Sequence, residues 1–167
     1  MIEILKVQEI VREAAKIFSN RNAAEQIKQK GVFDYVTAID EAVQEFIQKE
    51  LSDLYPQIQF MGEEKDNSDI DMSGQVWVLD PVDGTTNLIH DYQNSAISLA
   101  LIDNSEIILG IIYNPFSDEM FYAEKDKGSF LNGKRIYVSD AEQMKDSLIS
   151  VGTSPYFKEE AEQNFMR

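Results

Sequence analysis

Apolar residues in this chain keep a helical period up to about residue 54 and a shorter, strand-like period after it, and few architectures satisfy both halves. Residues 4–18 put Leu5, Ile10, Val11, Ala14, Ile17 and Phe18 near one helical face. From Thr37 to Leu54 the residues Ala42, Val43, Phe46, Ile47 and Leu51 form a second such face. Thr37 and Asp40 have the spacing of a capping box at its start, and Pro56 follows its end. Beyond Pro56 the period shortens. Gln57–Phe60 alternates like a strand, and Val76–Leu79 is a short apolar run suited to a buried one. Ala96–Ile102, Ile107–Tyr113, Met120–Ala123 and Arg135–Val138 follow, and Leu148–Val151 offers one more. Asn104-Ser105 and Asn132-Gly133 read as turns, the second being the stronger hairpin signal. Lys65–Ser73 reads as an exposed loop and Lys158–Arg167 as a polar segment with helical character. Two helices followed by strands at hairpin spacing predict an α+β fold, with the helices layered on a mostly antiparallel sheet.

Several chemistries are excluded by what the chain lacks. It has no cysteine, so disulfides, thiolate nucleophiles and zinc–thiolate sites are ruled out. A single histidine, His90, makes a multi-histidine metal site untenable. Thirty acids against fifteen bases leave a net charge of −15, which disfavours nucleic acid and anionic membranes as partners. A phosphate substrate would need that sign reversed locally, and a divalent cation held by carboxylates does so. No apolar stretch reaches the roughly 18 residues of a membrane span, and Met1-Ile2-Glu3-Ile4 does not resemble a signal peptide, so a cytoplasmic location is expected.

Chemistry concentrates in Asp80-Pro81-Val82-Asp83-Gly84-Thr85. A buried strand would deliver Asp80 at its carboxyl end, Pro81 would stiffen the turn, and Asp83 would follow three residues on. Two carboxylates and the intervening Val82 carbonyl form an oxygen donor set of the kind magnesium prefers. Gly84 permits a close backbone approach, and if Thr85 opens a helix, the amides of Gly84 and Thr85 face an anion. Any single Asp-Gly is more often a turn. Gly62-Glu63-Glu64 after one strand, and Asp40 in the first turn of a helix, are ordinary alone and gain weight only beside the Asp80 string.

Gly62-Glu63-Glu64 together with Trp77-Val78-Leu79-Asp80-Pro81-Val82-Asp83-Gly84-Thr85-Thr86-Asn87 resembles the metal-binding signature of the inositol monophosphatase family. Val36-Thr37-Ala38-Ile39-Asp40 resembles the segment upstream of that signature, and Gly128 to Gly133 the family's later Gly-x-x-x-Asn-Gly hairpin. The resemblance implies a layered α/β sandwich of the sugar-phosphatase type. It implies that Glu63, Asp80, the Val82 carbonyl and Asp83 hold Mg2+, with Mn2+ able to substitute. Glu63 would also help the attacking water, which Thr85 and Asp40 would orient. Gly84, Thr85 and Asp83 would meet the substrate phosphate, and Glu64 would stand behind the ligands. The implied reaction is lithium-sensitive hydrolysis of a small phosphomonoester by water: inositol monophosphate first, the 2′-phosphate of NADP or a sugar bisphosphate next. A homodimer is implied as well. The family's later Trp-Asp-x-Ala-Ala-Gly segment, whose aspartate completes the second metal site, has no match after Val138. Residues 1–167 therefore read as an amino-terminal metal-binding domain without its carboxy-terminal α/β part.

Two other readings stay open. A haloacid-dehalogenase-type phosphatase also sets aspartates near Gly-Thr, but its two aspartates are separated by one residue, and here Pro81 and Val82 intervene. The chain could instead be a catalytically incomplete, metal-responsive regulatory or interaction module. His90 reads as a pocket-rim or structural residue rather than a proton donor, and Tyr92, Tyr113 and Tyr122 as sheet-face residues.

Overall fold

The computed structural model describes residues 2–29 and 35–149. Helix α1 (Ile4–Ala15) runs into a single 3-10 turn, Lys16–Ser19, and a short helix α2 (Arg21–Ala24) follows. A two-stranded antiparallel ribbon, β1 (Ile27–Gln29) and β2 (Tyr35–Thr37), leads into the long helix α3 (Ala38–Leu54). The main sheet then forms in chain order: β3 (Gln59–Gly62), β4 (Gln75–Asp83), β5 (Ala96–Asp103), β6 (Glu106–Asn114), β7 (Glu119–Glu124), β8 (Gly128–Leu131) and β9 (Lys134–Ile136). A helix α4 (Thr85–Ile89) interrupts the run between β4 and β5.

Every neighbouring pair in the seven-stranded sheet is antiparallel except β3 with β4, which is parallel. The α+β prediction therefore holds: two long helices and a mostly antiparallel sheet. The capping box of α3 is also as expected, since the Thr37 hydroxyl accepts the Ile39 N–H while the Asp40 carboxylate accepts the Thr37 N–H. The turns at Asn104-Ser105 and Asn132-Gly133 have positive φ at both residues, the backbone that two-residue hairpins require.

One face of the sheet packs against α1 and α3. Val7, Val11 and Ala14 of α1 and Ile39, Val43, Ile47 and Leu51 of α3 bury against Trp77, Leu79, Ile97, Leu99, Leu101 and Ile111. The other face is open among the described residues. It bears a shallow apolar groove of ≈360 Å³ lined by Ala100, Gly110, Ile112, Phe121 and Ala123 among others.

The structure departs from the sequence reading in several places. Leu5 is 69% exposed, because its position on α1 lies off the stripe formed by Val7, Ile10, Val11 and Ala14. The strand expected at Gln57–Phe60 is shifted to Gln59–Gly62, since residues 56 to 58 form a turn and pairing with β4 extends to Gly62. β8 is the strand that the Gly128 to Gly133 hairpin resemblance implies; its own residues show little alternation, and pairing with β7 and β9 on both sides makes it a strand. The β1–β2 ribbon was missed for want of such alternation. Tyr92 lies in the loop after α4 and is 70% exposed, whereas Tyr113 and Tyr122 lie on β6 and β7. The Lys65–Ser73 loop is exposed as expected and is tied down by Gln59, whose side-chain amide pairs with the backbone of Asp71. Leu148 and Ile149 are not in a strand, while Ser150–Val151 and Lys158–Arg167 lie outside the described residues.

Candidate active site

The single parallel pairing of the sheet builds the site. Gly62 of β3 pairs with Leu79 of β4, so both strands point the same way and β3 ends beside Leu79, just before Asp80. The Glu63 N–H donates to the Leu79 carbonyl at 3.2 Å, which carries the pairing one residue further. Glu63 and Asp80 are thereby neighbours across the strand ends, although sixteen residues of loop and strand separate Glu63 from Asp80 in the chain.

Beyond Asp80 the β4–β5 ladder is irregular. Asp80 pairs with Ser98 and Asp83 with Ala96, so β4 carries one extra residue. This bulge is where Pro81 sits, and a bulge is one of the few places in a central strand that tolerates a residue without an N–H. It also turns Asp83 outward, where it is exposed, while Val82 is buried. Gly84 then adopts φ 91° and ψ 42°, the left-handed region that glycine occupies at least cost. Its carbonyl accepts the Ser95 hydroxyl at 2.8 Å, and the Asn87 side chain donates to the Asn94 carbonyl at 2.7 Å, which closes the loop around α4. Thr85 does open a helix, but one of only five residues. It offers local amide groups, not a substantial macrodipole.

Asp80 is the most perturbed carboxyl group in this cluster, pushed up to about 7. Burial is the main cause, followed by the charges of Glu63 and then Asp83. A hydrogen bond between the Asp80 and Glu63 carboxyl groups adds to the rise, while the Val82 N–H, donating to Asp80 at 3.0 Å, opposes it. Asp40 stands on the other side. It is 2% exposed and saturated with donors: Thr37 N–H at 2.8 Å, the Thr37 hydroxyl at 2.6 Å and the Thr85 hydroxyl at 3.1 Å. The Thr85 hydroxyl also lies 3.1 Å from the Val82 carbonyl oxygen. One aspartate thus caps a helix and links that helix to the Asp80–Thr85 turn.

The residues singled out in the sequence are therefore brought to one end of the sheet: Glu63, Asp80, Val82 and Asp83 at the strand ends, Gly84 and Thr85 in the turn beyond, and Asp40 behind Thr85. His90 is exposed at the end of α4. Among the described residues, no three carboxylate or imidazole groups are gathered closely enough to hold a metal ion as they stand. The donor set still fits a hard cation in kind, being carboxylates and a carbonyl. The raised Asp80 fits it too, because a carboxyl group facing two others lacks the positive partner that would let all three ionise.

Ser95, Asn67 and Gln44 escaped the sequence reading. Ser95 and Asn67 carry no sequence signal beyond a polar residue in a loop. Gln44 carried one: it lies in line with Asp40, Ile47 and Leu51 on the buried face of α3, where an unpaired amide would be costly.

Comparison with known proteins identifies the family. The model of the inositol monophosphatase family matches residues 2–166. An inositol monophosphatase of Dictyostelium discoideum is 42% identical over 146 residues, covering 85% of this chain and 54% of that protein. The extragenic suppressor protein SuhB from Bartonella henselae is similar in structure, with a TM-score of 0.75 at 33% identity over 83% of this chain and 55% of that one. SaIMPase-II, solved with inositol monophosphate bound, gives a TM-score of 0.66 at 27% identity over 80% of this chain and 49% of that one. The chain spans about half the length of the curated relatives it matches. By sequence and by fold, this chain belongs to the inositol monophosphatase family.

Proposed function

We propose that the chain is the amino-terminal, magnesium-binding half of a phosphatase that hydrolyses a small phosphomonoester with water. The observation that carries the reading is Asp80, a carboxyl group pushed up to about 7 by burial and by Glu63 and Asp83 beside it. Glu63, Asp80, the Val82 carbonyl and Asp83 are the residues that would hold the cation. Bound Mg2+, or Mn2+ in its place, supplies positive charge against the phosphoryl and leaving oxygens. The chain's own contribution is orientation. Thr85, whose hydroxyl lies 3.1 Å from Asp40, presents an oxygen lone pair to a water O–H and can pass its own proton to Asp40. The amides of Gly84 and Thr85 and the outward carboxylate of Asp83 border the space where the phosphate would sit.

Inositol monophosphate is the foremost substrate, in line with the relative solved with that ligand bound. The 2′-phosphate of NADP and sugar bisphosphates are the next candidates. A homodimer and a cytoplasmic location belong to the same reading. The test is phosphate release from this panel at millimolar magnesium, by the wild type and by Asp83→Asn. Magnesium-dependent turnover that falls about 10²–10³-fold in the variant supports the reading, on the scale of losing one well-placed electrostatic contact. Turnover unaffected by a chelator, or retained in the variant at saturating magnesium, sinks it. Lithium inhibition is expected to be uncompetitive with substrate; lithium that competes with substrate instead would count against its acting at the metal site.

A second reading is a metal-responsive regulatory or interaction module without catalysis, built on the same Glu63, Asp80 and Asp83 carboxylates. It predicts manganese binding with no turnover on any member of the panel.

A further inference from the structure

Two amide side chains hold the backbone on either side of Glu63. Gln44, on the buried face of α3, is 6% exposed, and its Oε1 accepts the Glu64 N–H at 2.9 Å. Asn67, in the following loop, grips the residue before Glu63: its Nδ2 donates to the Gly62 carbonyl at 2.7 Å, and its Oδ1 accepts the Gly62 N–H at 3.3 Å. Between them the Glu63 N–H is held by the Leu79 carbonyl at 3.2 Å. Three successive residues are thus fixed by three separate parts of the fold. Gln44 also lies directly over Gly62, where a Cβ would displace its side-chain amide.

An exposed glutamate on a free loop loses much rotamer entropy when it is ordered. Here the main chain is ordered beforehand, and only the side-chain torsions of Glu63 remain to be restricted. A ligand set assembled from two strand ends depends on such support, because the shell behind metal ligands commonly sets affinity. We propose that Gln44 and Asn67 are positioning residues that direct the Glu63 carboxylate toward Asp80 and so determine how tightly the strand-end site binds a divalent cation. This rests on the metal-binding reading above.

The experiment is Mn2+ binding to the 167-residue chain, followed by electron paramagnetic resonance of the free ion, with thermal melting in chelator recorded alongside. The variants are Gln44→Leu, Glu63→Gln and the double substitution. Gln44→Leu keeps the volume and removes the acceptor, and is expected to weaken Mn2+ binding about 10-fold or more. In the Glu63→Gln background the same change is expected to cost little, because Gln44 acts through Glu63. A purely structural role would give an equal loss in both backgrounds, and that result overturns the proposal, as does wild-type affinity in Gln44→Leu. If melting shows that Gln44→Leu does not fold, Asn67→Ala is taken through the same cycle and judged by the same two outcomes. Absence of Mn2+ binding in the wild type removes the metal reading and this inference together, whereas binding by the wild type with no effect of either amide removes this inference alone.

Discussion

Asp80 brings together the fold and the chemistry in one side chain. Its carboxyl group sits at about 7 in the folded chain against an ordinary value of 3.8. Between about pH 4 and pH 7 the folded state therefore binds more protons than the unfolded one, and stability falls as pH rises through that window. Above it, Asp80 carries its charge beside the carboxyl groups of Glu63 and Asp83, a repulsion that a bound cation would offset. Melting temperature in chelator is expected to drop between about pH 4 and pH 7, and to recover above that window when magnesium is added. Asp80→Asn, which is neutral and nearly isosteric, is expected to flatten the drop and to melt higher than the wild type at about pH 8. Parallel pH profiles for the two proteins, measured by circular dichroism, would show that Asp80 is not the source. The role of Asp80 as a candidate was legible in the string it belongs to; its perturbation was not, because that depends on Glu63 arriving from another strand.

At the scale of the element, β4 and its exit turn set the geometry. The bulge accommodates Pro81, and Gly84 at φ 91° reverses the chain into α4. A Cβ at Gly84 would also lie 3.1 Å from both the Asn87 side-chain nitrogen and the Asn94 carbonyl. Gly84→Ala is expected to cost about 1–2 kcal/mol from the left-handed backbone alone. Urea denaturation checks the size; a loss near zero would mean that the turn relaxes freely. At the other entrance, Thr37→Ala removes the cap of α3 and one donor to Asp40, and is expected to cost about 0.5–2 kcal/mol. Of these two devices the sequence displayed both signals, Thr37 three residues before Asp40 and Gly84 after two aspartates. The strands β1 and β2 were invisible, and β8 was legible only through its Asn-Gly turn, because short segments with little alternation become strands only through their partners.

For the whole molecule, the sheet is covered by α1 and α3 on one side and open on the other among the described residues. Ile112 is 49% exposed and Phe121 38% exposed on that open side, beside the apolar groove. Contiguous apolar surface of this kind binds hydrophobic dyes and promotes association. The chain is expected to enhance the fluorescence of anilinonaphthalene sulfonate in its folded state, and the pair Ile112→Ser with Phe121→Ser to reduce that signal without lowering helix content. An unchanged signal would place the dye elsewhere. The net charge of −15 opposes self-association at low salt, so any association through this face is expected to strengthen as salt is raised.

The amino-acid sequence determined what is local. Hydrophobic period specified α1, period together with a capping box specified α3, alternation and Asn-Gly chemistry specified most of the hairpins, and the Asp80–Thr85 string specified an oxygen-rich turn. Tertiary structure decided what is brought together. The parallel pairing of β3 with β4 sets Glu63 beside Asp80, the docking of α3 joins Asp40 to Thr85, and Gln44 reaches the backbone of Glu64. Those contacts span long stretches of chain, and their free energy depends on burial and on the other charges present, neither of which exists until the sheet and helices have packed.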